Sequence, residues 1–294
     1  MQKISGKKIA NNILFSLQKK INNLKVNPVL AIILVGDDKA SHLYVKLKQE
    51  TGKKIGLGFK VFSYPDSITE KFLIQKIKEL NNKKEITGII VQLPLPSKID
   101  RDKIIQSVHP SKDADGFHPE NIEKFLKGKE IIEPVFPSAI RRLINEAERK
   151  KCWKKTDLFQ RKALIISQSL SFFRIMKASL QKRNWKNIRL IKCQEWLKNK
   201  KRFRKEMKKA HLIITACGKE NLFQANDLRK EEVMVVDGGI IKKGKKVKGD
   251  FFSFKLENNL GCYSPVPQGV GPVTVACLLK NVVELAQNQI RENN

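Results

Sequence analysis

The sequence predicts an α/β protein of two domains, each a mainly parallel sheet flanked by helices. Three observations carry this. The first is Gly88 to Pro96, Gly-Ile-Ile-Val-Gln-Leu-Pro-Leu-Pro, in which an apolar run stops abruptly at two prolines. Residues Ile89 to Val91 call for burial on both faces, as in a parallel sheet, and Pro94 and Pro96 cannot donate to a ladder, so the strand ends there. The second is the alternation of short β-type runs with helical ones, which implies right-handed β-α-β crossovers. The third is length: 294 residues suffice for two ordinary domains with a sizeable core.

Taken in order, Pro28 to Val35 reads as a strand ending at Gly36-Asp37-Asp38. The aspartates cap a helix that runs to about Ile55, with Gly56 as its stop. Gly58 to Tyr64 is a second strand, Ile68 to Asn81 a helix by its Ile/Leu/Phe spacing, and Thr87 to Leu93 a third strand. A second unit begins near residue 145. Its strands are Ala163–Ile166, Arg189–Lys192, His211–Ala216 and Val233–Val236, with Met176–Leu180 in a helix after the first of them. A Lys-rich helix spans about Lys198 to Lys209, Ile240 to Lys248 reads as an exposed basic hairpin or loop, and Val273 to Ile290 as an amphipathic helix.

Composition excludes several classes. No apolar run approaches the roughly 18 residues of a spanning helix, and Ile13 to Leu17 is too short for a signal peptide, so a cytoplasmic protein without membrane association is expected. The five cysteines are scattered without a CxxC and the four histidines lack ligand spacing. Reduced, mostly buried thiols and no metal are therefore expected. Net charge is +30, and residues 151–260 alone hold 29 basic against 10 acidic residues. Such a field attracts polyanions. The basic residues are mostly lysines without interleaved aromatics or paired zinc ligands, so nucleic-acid binding is not the expected use.

In open α/β sheets ligands sit beyond the carboxyl ends of the strands. Gln92, the one polar side chain in its run, stands there; a core glutamine satisfied by backbone is the alternative. Tyr44 and Lys48 share one face of the first-domain helix, one turn apart. Together the three suggest a pocket in which a ring stacks a flat ligand, a lysine of depressed pKa does proton chemistry, and a glutamine positions it. An ordinary surface Tyr/Lys pair would give the same spacing. Lys112 to Pro119 packs Asp113 and Asp115 beside a glycine turn, and Asp115 suits paired hydrogen bonds from an amino-heterocycle. Ser264 to Pro272 is a Pro/Gly loop whose glycines permit close backbone approach to a ligand, or simply fix a turn.

Four motifs in order, Tyr-x-x-x-Lys, Val-Gln-Leu-Pro-Leu-Pro, Lys-Asp-x-Asp-Gly-Phe-His-Pro and Pro-Val-Pro-x-Gly-Val-Gly-Pro, give a chain that resembles the bifunctional methylenetetrahydrofolate dehydrogenase / methenyltetrahydrofolate cyclohydrolase family from about Ile9 to Ala286. The resemblance implies a folate-binding catalytic domain of residues 1–145 plus 263–294 and a Rossmann-like NAD(P) domain of residues 146–262. It implies Lys48 and Gln92 as catalytic residues, Tyr44 and Asp115 on the folate, and Pro267, Gly269 and Gly271 as further substrate contacts. It also implies a homodimer. The basic excess suits the polyglutamate tail of a folate.

In the cofactor loop the chain departs from the family's Gly-Arg-Ser-x-x-Val-Gly-x-Pro. It has Ser167-Gln168-Ser169-Leu170-Ser171-Phe172-Phe173-Arg174-Ile175, and Cys193-Gln194-Glu195 for Cys-His-Ser. Pro-Val-Pro-Gly-Gly has become Pro-Val-Pro-Gln268-Gly269. Gly218 and Gly239 remain in plausible loops. The cofactor residues expected from position are Ser167, Gln168, Ser169, Gly218 and Gly239. With both loop glycines replaced and Phe173 at the helix N-terminus, weak NADP binding is expected. The expected activity is methenyltetrahydrofolate cyclohydrolase, with NADP-dependent dehydrogenase weakened or lost. The alternatives are the fully bifunctional enzyme and a non-catalytic folate- or partner-binding paralogue.

Overall fold

The computed structural model describes residues 1–292 apart from 154–156, 158–159, 230, 244–245 and 253–259. In chain order its strands and helices are β1 (Gln2–Lys3), α1 (Gly6–Asn22), β2 (Val29–Val35), α2 (Lys39–Lys53), β3 (Gly58–Tyr64), α3 (Glu70–Asn81), β4 (Gly88–Val91), α4 (Arg101–Ser107), α5 (Pro119–Lys127) and α6 (Val135–Arg149). Then come β5 (Lys162–Ser167), α7 (Leu170–Gln181), β6 (Asn187–Ile191), α8 (Cys193–Lys198), α9 (Lys200–Met207), β7 (Leu212–Ala216), β8 (Phe223–Gln224), β9 (Glu231–Asp237), β10 (Ile241–Lys243), β11 (Lys246–Lys248), β12 (Phe251–Phe252), β13 (Leu260–Ser264) and α10 (Val270–Glu292).

The chain divides into two compact units, one of residues Asn11–Val135 with Val275–Asn294, the other of Phe136–Thr274 with Met1–Ala10. These limits lie some ten residues from the boundaries expected at 145/146 and 262/263. At the N-terminus the reason is visible: Gln2 and Lys3 pair with Cys262 and Tyr263, so the first residues extend the second unit's sheet.

In the first unit β2 lies between β3 and β4, all parallel. Every residue of β4 is buried, as the unbroken apolar run requires. Asp38 caps α2 by accepting from the Ser41 N–H at 2.8 Å, and Thr69 caps α3 by accepting from Phe72 N–H. One side of the sheet packs Ile33, Ile89 and Val91 against Leu73, Ile77 and Leu80 of α3. Gly52 has no side chain because the Phe59 ring fills that space: a Cβ there would lie 2.3 Å from Phe59 Cζ.

The second unit has a six-stranded, all-parallel sheet in the order β1-β13-β9-β7-β5-β6. From β5 the chain steps to β6 on one side and then returns to β7 on the other. The strand order therefore reverses between β5 and β7, where an open α/β sheet opens a crevice at its carboxyl edge. The Lys-rich helix expected around 198–209 is α9, and Asn199 (φ −128°, ψ 40°) separates it from the short helix α8 before it. The basic hairpin is present as β10 paired antiparallel with β11, its turn lying outside the described residues.

The cysteines differ from expectation. Cys152 is bonded to Cys262 and Cys193 to Cys217, each pair with Cα atoms 6.0 Å apart; Cys277 alone is free, and buried. Spacings of 110 and 24 residues give no sequence signal. The pairs arise because the fold brings the ends of β6 and β7 together and sets Cys152, just past α6, beside β13. No described helix is long and apolar enough to cross a membrane. The described residues hold no group of three or more His, Cys, Asp or Glu positioned for a metal ion.

Candidate active site

The buried residues of α2 include Ser41, Val45, Lys48 and Gly52, a core-facing stripe in which a lysine is out of place. Lys48 is 6 % exposed. Helical side chains lean toward the N-terminus of their helix, so Lys48 reaches back toward the carboxyl edge of the sheet. There its Nζ donates to Gln92 Oε1 at 2.8 Å and lies 5.1 Å from the centre of the Tyr44 ring. Gln92 stands one residue beyond β4, its backbone N–H still bonded to Ile33 O. Its Nε2 donates to Leu93 O at 2.7 Å, which leaves Oε1 turned to the lysine.

Asp115 completes the group. Burial lowers the Lys48 pKa, and the opposing charge of Asp115 raises it in part. Burial pushes the Asp115 carboxyl up to about 6, against the pull of Lys48 and with a further push from Asp113. Asp113 has a different use. It is buried and accepts from the backbone N–H groups of Gly116 and His118 and from Asn121 Nδ2, at 3.1, 2.7 and 3.0 Å. It shapes the loop that presents Asp115. A small hollow adjoins Asp115, with Val91, Leu93, Asp113 and Phe117 also in its lining. The four residues read from the sequence thus come together in one unit.

Pro267, Gly269 and Gly271 belong to the other unit. Gly269 is packed into its own turn, where a Cβ would meet Pro265 O at 2.3 Å, whereas Gly271 has nothing within 4 Å of a Cβ position. The glycine requirement at 269 comes from the turn.

The residues expected to meet a cofactor lie at the carboxyl edge of the six-stranded sheet. Ser167 ends β5 and is buried, its Oγ accepting from Ser169 N–H; Ser169 caps α7, its Oγ accepting from Phe172 N–H at 3.1 Å. Gly218 follows β7 with φ +63° and only Ile240 O, at 3.9 Å, near a Cβ position. Gly239 is not open: a Cβ there would strike the Asp250 carboxylate at 2.2 Å. Asp250 fixes the loop after β7 by accepting from Cys217 and Lys219 N–H at 2.8 and 2.7 Å. The strand order, the helix N-terminus behind Ser169 and the open Gly218 fit a dinucleotide. Sequence reasoning missed three neighbours of this edge. Phe136 of α6 and Phe172 of α7 have ring centres 5.3 Å apart, and the Cys193–Cys217 bond joins the loops on either side of β5. Only Phe172 carried a signal, as part of the altered loop.

Two family models match this chain in succession. The model of the tetrahydrofolate dehydrogenase/cyclohydrolase catalytic domain matches residues 4–115, and that of the family's NAD(P)-binding domain residues 134–290. The bifunctional protein FolD of Nautilia profundicola is 37 % identical over 98 % of both chains, and that of Nitratiruptor sp. 36 % identical over 99 % of this chain and all of the other. The crystal structure of the bifunctional FolD methylenetetrahydrofolate dehydrogenase/cyclohydrolase from Campylobacter jejuni superposes with a TM-score of 0.87 at 34 % identity, over 98 % of this chain and 99 % of that one. The chain belongs to the tetrahydrofolate dehydrogenase/cyclohydrolase family.

Proposed function

We propose that this chain is a bifunctional one-carbon enzyme on tetrahydrofolate, a methenyltetrahydrofolate cyclohydrolase and a methylenetetrahydrofolate dehydrogenase. The observation that carries it is the buried Lys48 amine donating to Gln92 Oε1 at 2.8 Å with the Asp115 charge opposed to it. The relatives are named bifunctional and the Campylobacter jejuni structure is named for both activities, which favours the bifunctional reading over the cyclohydrolase alone that the altered loop suggested.

In the cyclohydrolase step water adds to the methenyl carbon and the bond from that carbon to N5 breaks. One water proton ends on N5 and the other is released, leaving the 10-formyl product. A lysine whose ammonium is disfavoured by burial takes a proton from the attacking water and returns it to N5. Gln92 holds the amine toward the bridge, Tyr44 stacks the flat ring and Asp115 holds the pterin by paired hydrogen bonds. A bound nicotinamide dinucleotide would supply the hydride acceptor that oxidation of the methylene bridge requires. Ser167, Gln168, Ser169 and Gly218 would hold it; Pro267, Gly269 and Gly271 contact the folate in this reading. A polyglutamylated folate and a homodimer also belong to it. The deciding experiment assays the two half-reactions separately with purified protein. Ring opening without any oxidation would return the reading to cyclohydrolase alone, and neither activity would leave a binding paralogue.

A further inference from the structure

The crevice between β5 and β7 is bounded on one side by the first turn of α7, which follows β5, and on the other by the loops after β7 and β9. Gly238 belongs to that second wall; its N–H donates to Thr215 O at 2.9 Å and ties the ends of the two strands together. A glycine there leaves room for a close approach. The room is already taken: a Cβ on Gly238 would lie 2.7 Å from Phe136 Cζ. Phe172 stands on the opposite wall, its backbone N–H capped by Ser169. The two rings meet at 5.3 Å between centres, tilted by 41°, and both residues are only partly buried. An aromatic contact therefore spans the crevice from the helix N-terminus, where a pyrophosphate would bind, to the end of β9.

We propose that Phe136 and Phe172 are the specificity-determining pair of this crevice and set a low affinity for nicotinamide dinucleotides, because the rings must part before the ligand enters. The proposal rests on the bifunctional reading, which makes this edge the dinucleotide site. It moves the main obstacle from the absent loop glycines to two side chains that substitution can remove.

The test titrates the full-length protein with NADP and, separately, NAD by calorimetry. Each titration is run with and without excess dithiothreitol, so that the Cys193–Cys217 bond is controlled. Ring opening of methenyltetrahydrofolate is followed in parallel. The Phe136→Ala, Phe172→Ala double variant should bind NADP at least about tenfold more tightly than the natural protein. Ring opening should stay unchanged, because Lys48, Gln92, Tyr44 and Asp115 lie in the other unit. Should the alanine variant lose its cooperative unfolding transition, Phe136→Leu with Phe172→Leu should still show a smaller gain. Equal or weaker binding by the folded double variant would overturn the proposal and make the pair a platform for the ligand. Binding by none of the proteins would overturn it as well, since something else would then close the crevice. Failure of ring opening in the natural protein would instead count against the folate reading.

Discussion

The two units use one device, a parallel sheet with crossover helices, and end it differently at the carboxyl edge. In the first, polar groups converge: Lys48, Gln92 and Tyr44 meet, and Asp115 acts on Lys48. In the second, the chain's own parts fill the edge: two phenylalanine rings, a disulfide and two buried carboxylates. Asp115 and Asp237 make the contrast quantitative. Burial raises both to about 6. Asp237 accepts from the backbone N–H groups of Gly239, Asp250 and Phe251, so its perturbation reflects loop architecture. Asp115 faces an amine whose own pKa is displaced, so its perturbation belongs to a pair of reactive groups. A shifted pKa marks chemistry only where the group is not consumed in holding the fold.

Lys48→Met should change the first unit's chemistry most. Ring opening should fall by roughly 10³-fold or more, within the range for loss of a positioned proton-transfer group plus its charge. Dinucleotide and folate affinities should change little. A variant that still hydrolyses methenyltetrahydrofolate at the natural rate removes Lys48 from the chemistry. Gln92→Leu comes next. It removes the acceptor for the lysine and should slow ring opening by about 10- to 100-fold with KM nearly constant. A rise in KM alone would make Gln92 a substrate contact.

Asp115 sharpens the comparison on the binding side. Asp115→Ala should cost about 1.5–3 kcal/mol of folate affinity, the range for a lost charged hydrogen bond. The pH dependence has a definite sign. The carboxylate form, present above about pH 6, accepts from the pterin, so folate affinity should fall as pH drops through about 6. Asp115→Asn should flatten that profile in equilibrium titrations. Full affinity with lost turnover would exchange the roles of Asp115 and Lys48.

Much of this was legible in the sequence because the first unit obeys local rules. The capping aspartate, the apolar strand and the paired prolines each state their own structure, so β2, α2, β3 and β4 follow from short windows. Lys48 and Gln92 are readable as polar residues in apolar stripes. The second unit is legible in its strands but not at its edge. Phe136 meets Phe172 only because α6 and α7 are brought together by the fold. Gly239 and Gly269 read as ligand-facing glycines, yet protein atoms take their Cβ positions. β1 escaped for another reason: two exposed residues at the chain start carry no periodicity, and only their pairing with β13 defines them.

The smallest expected effect concerns the opposite, amino edge of the second unit's sheet, and it tests whether that unit can be perturbed without touching either site. His211 precedes β7 and is 7 % exposed. Its Nδ1 accepts from the Lys162 N–H at 3.1 Å, which requires the neutral ring. Burial first, with Arg229 next, lowers its pKa from 6.5 to about 4. The unfolded chain then binds a proton below about pH 6.5 that the folded chain does not take until about pH 4. His211 therefore contributes its full stability above pH 6.5, and loses it progressively as pH falls from 6.5 to 4. With allowance for solvent screening the loss is about 1–2 kcal/mol. All three tryptophans, Trp153, Trp185 and Trp196, lie in this unit, so intrinsic fluorescence reports its unfolding alone. Urea midpoints read by fluorescence should fall across that window in the natural protein. The fall should be smaller in His211→Asn, whose side-chain oxygen replaces Nδ1 as acceptor but does not titrate. Comparing the two proteins cancels Asp237, whose raised pKa acts with the opposite sign in the same range. Equal slopes in both would remove His211 as the source of the acid sensitivity of this unit.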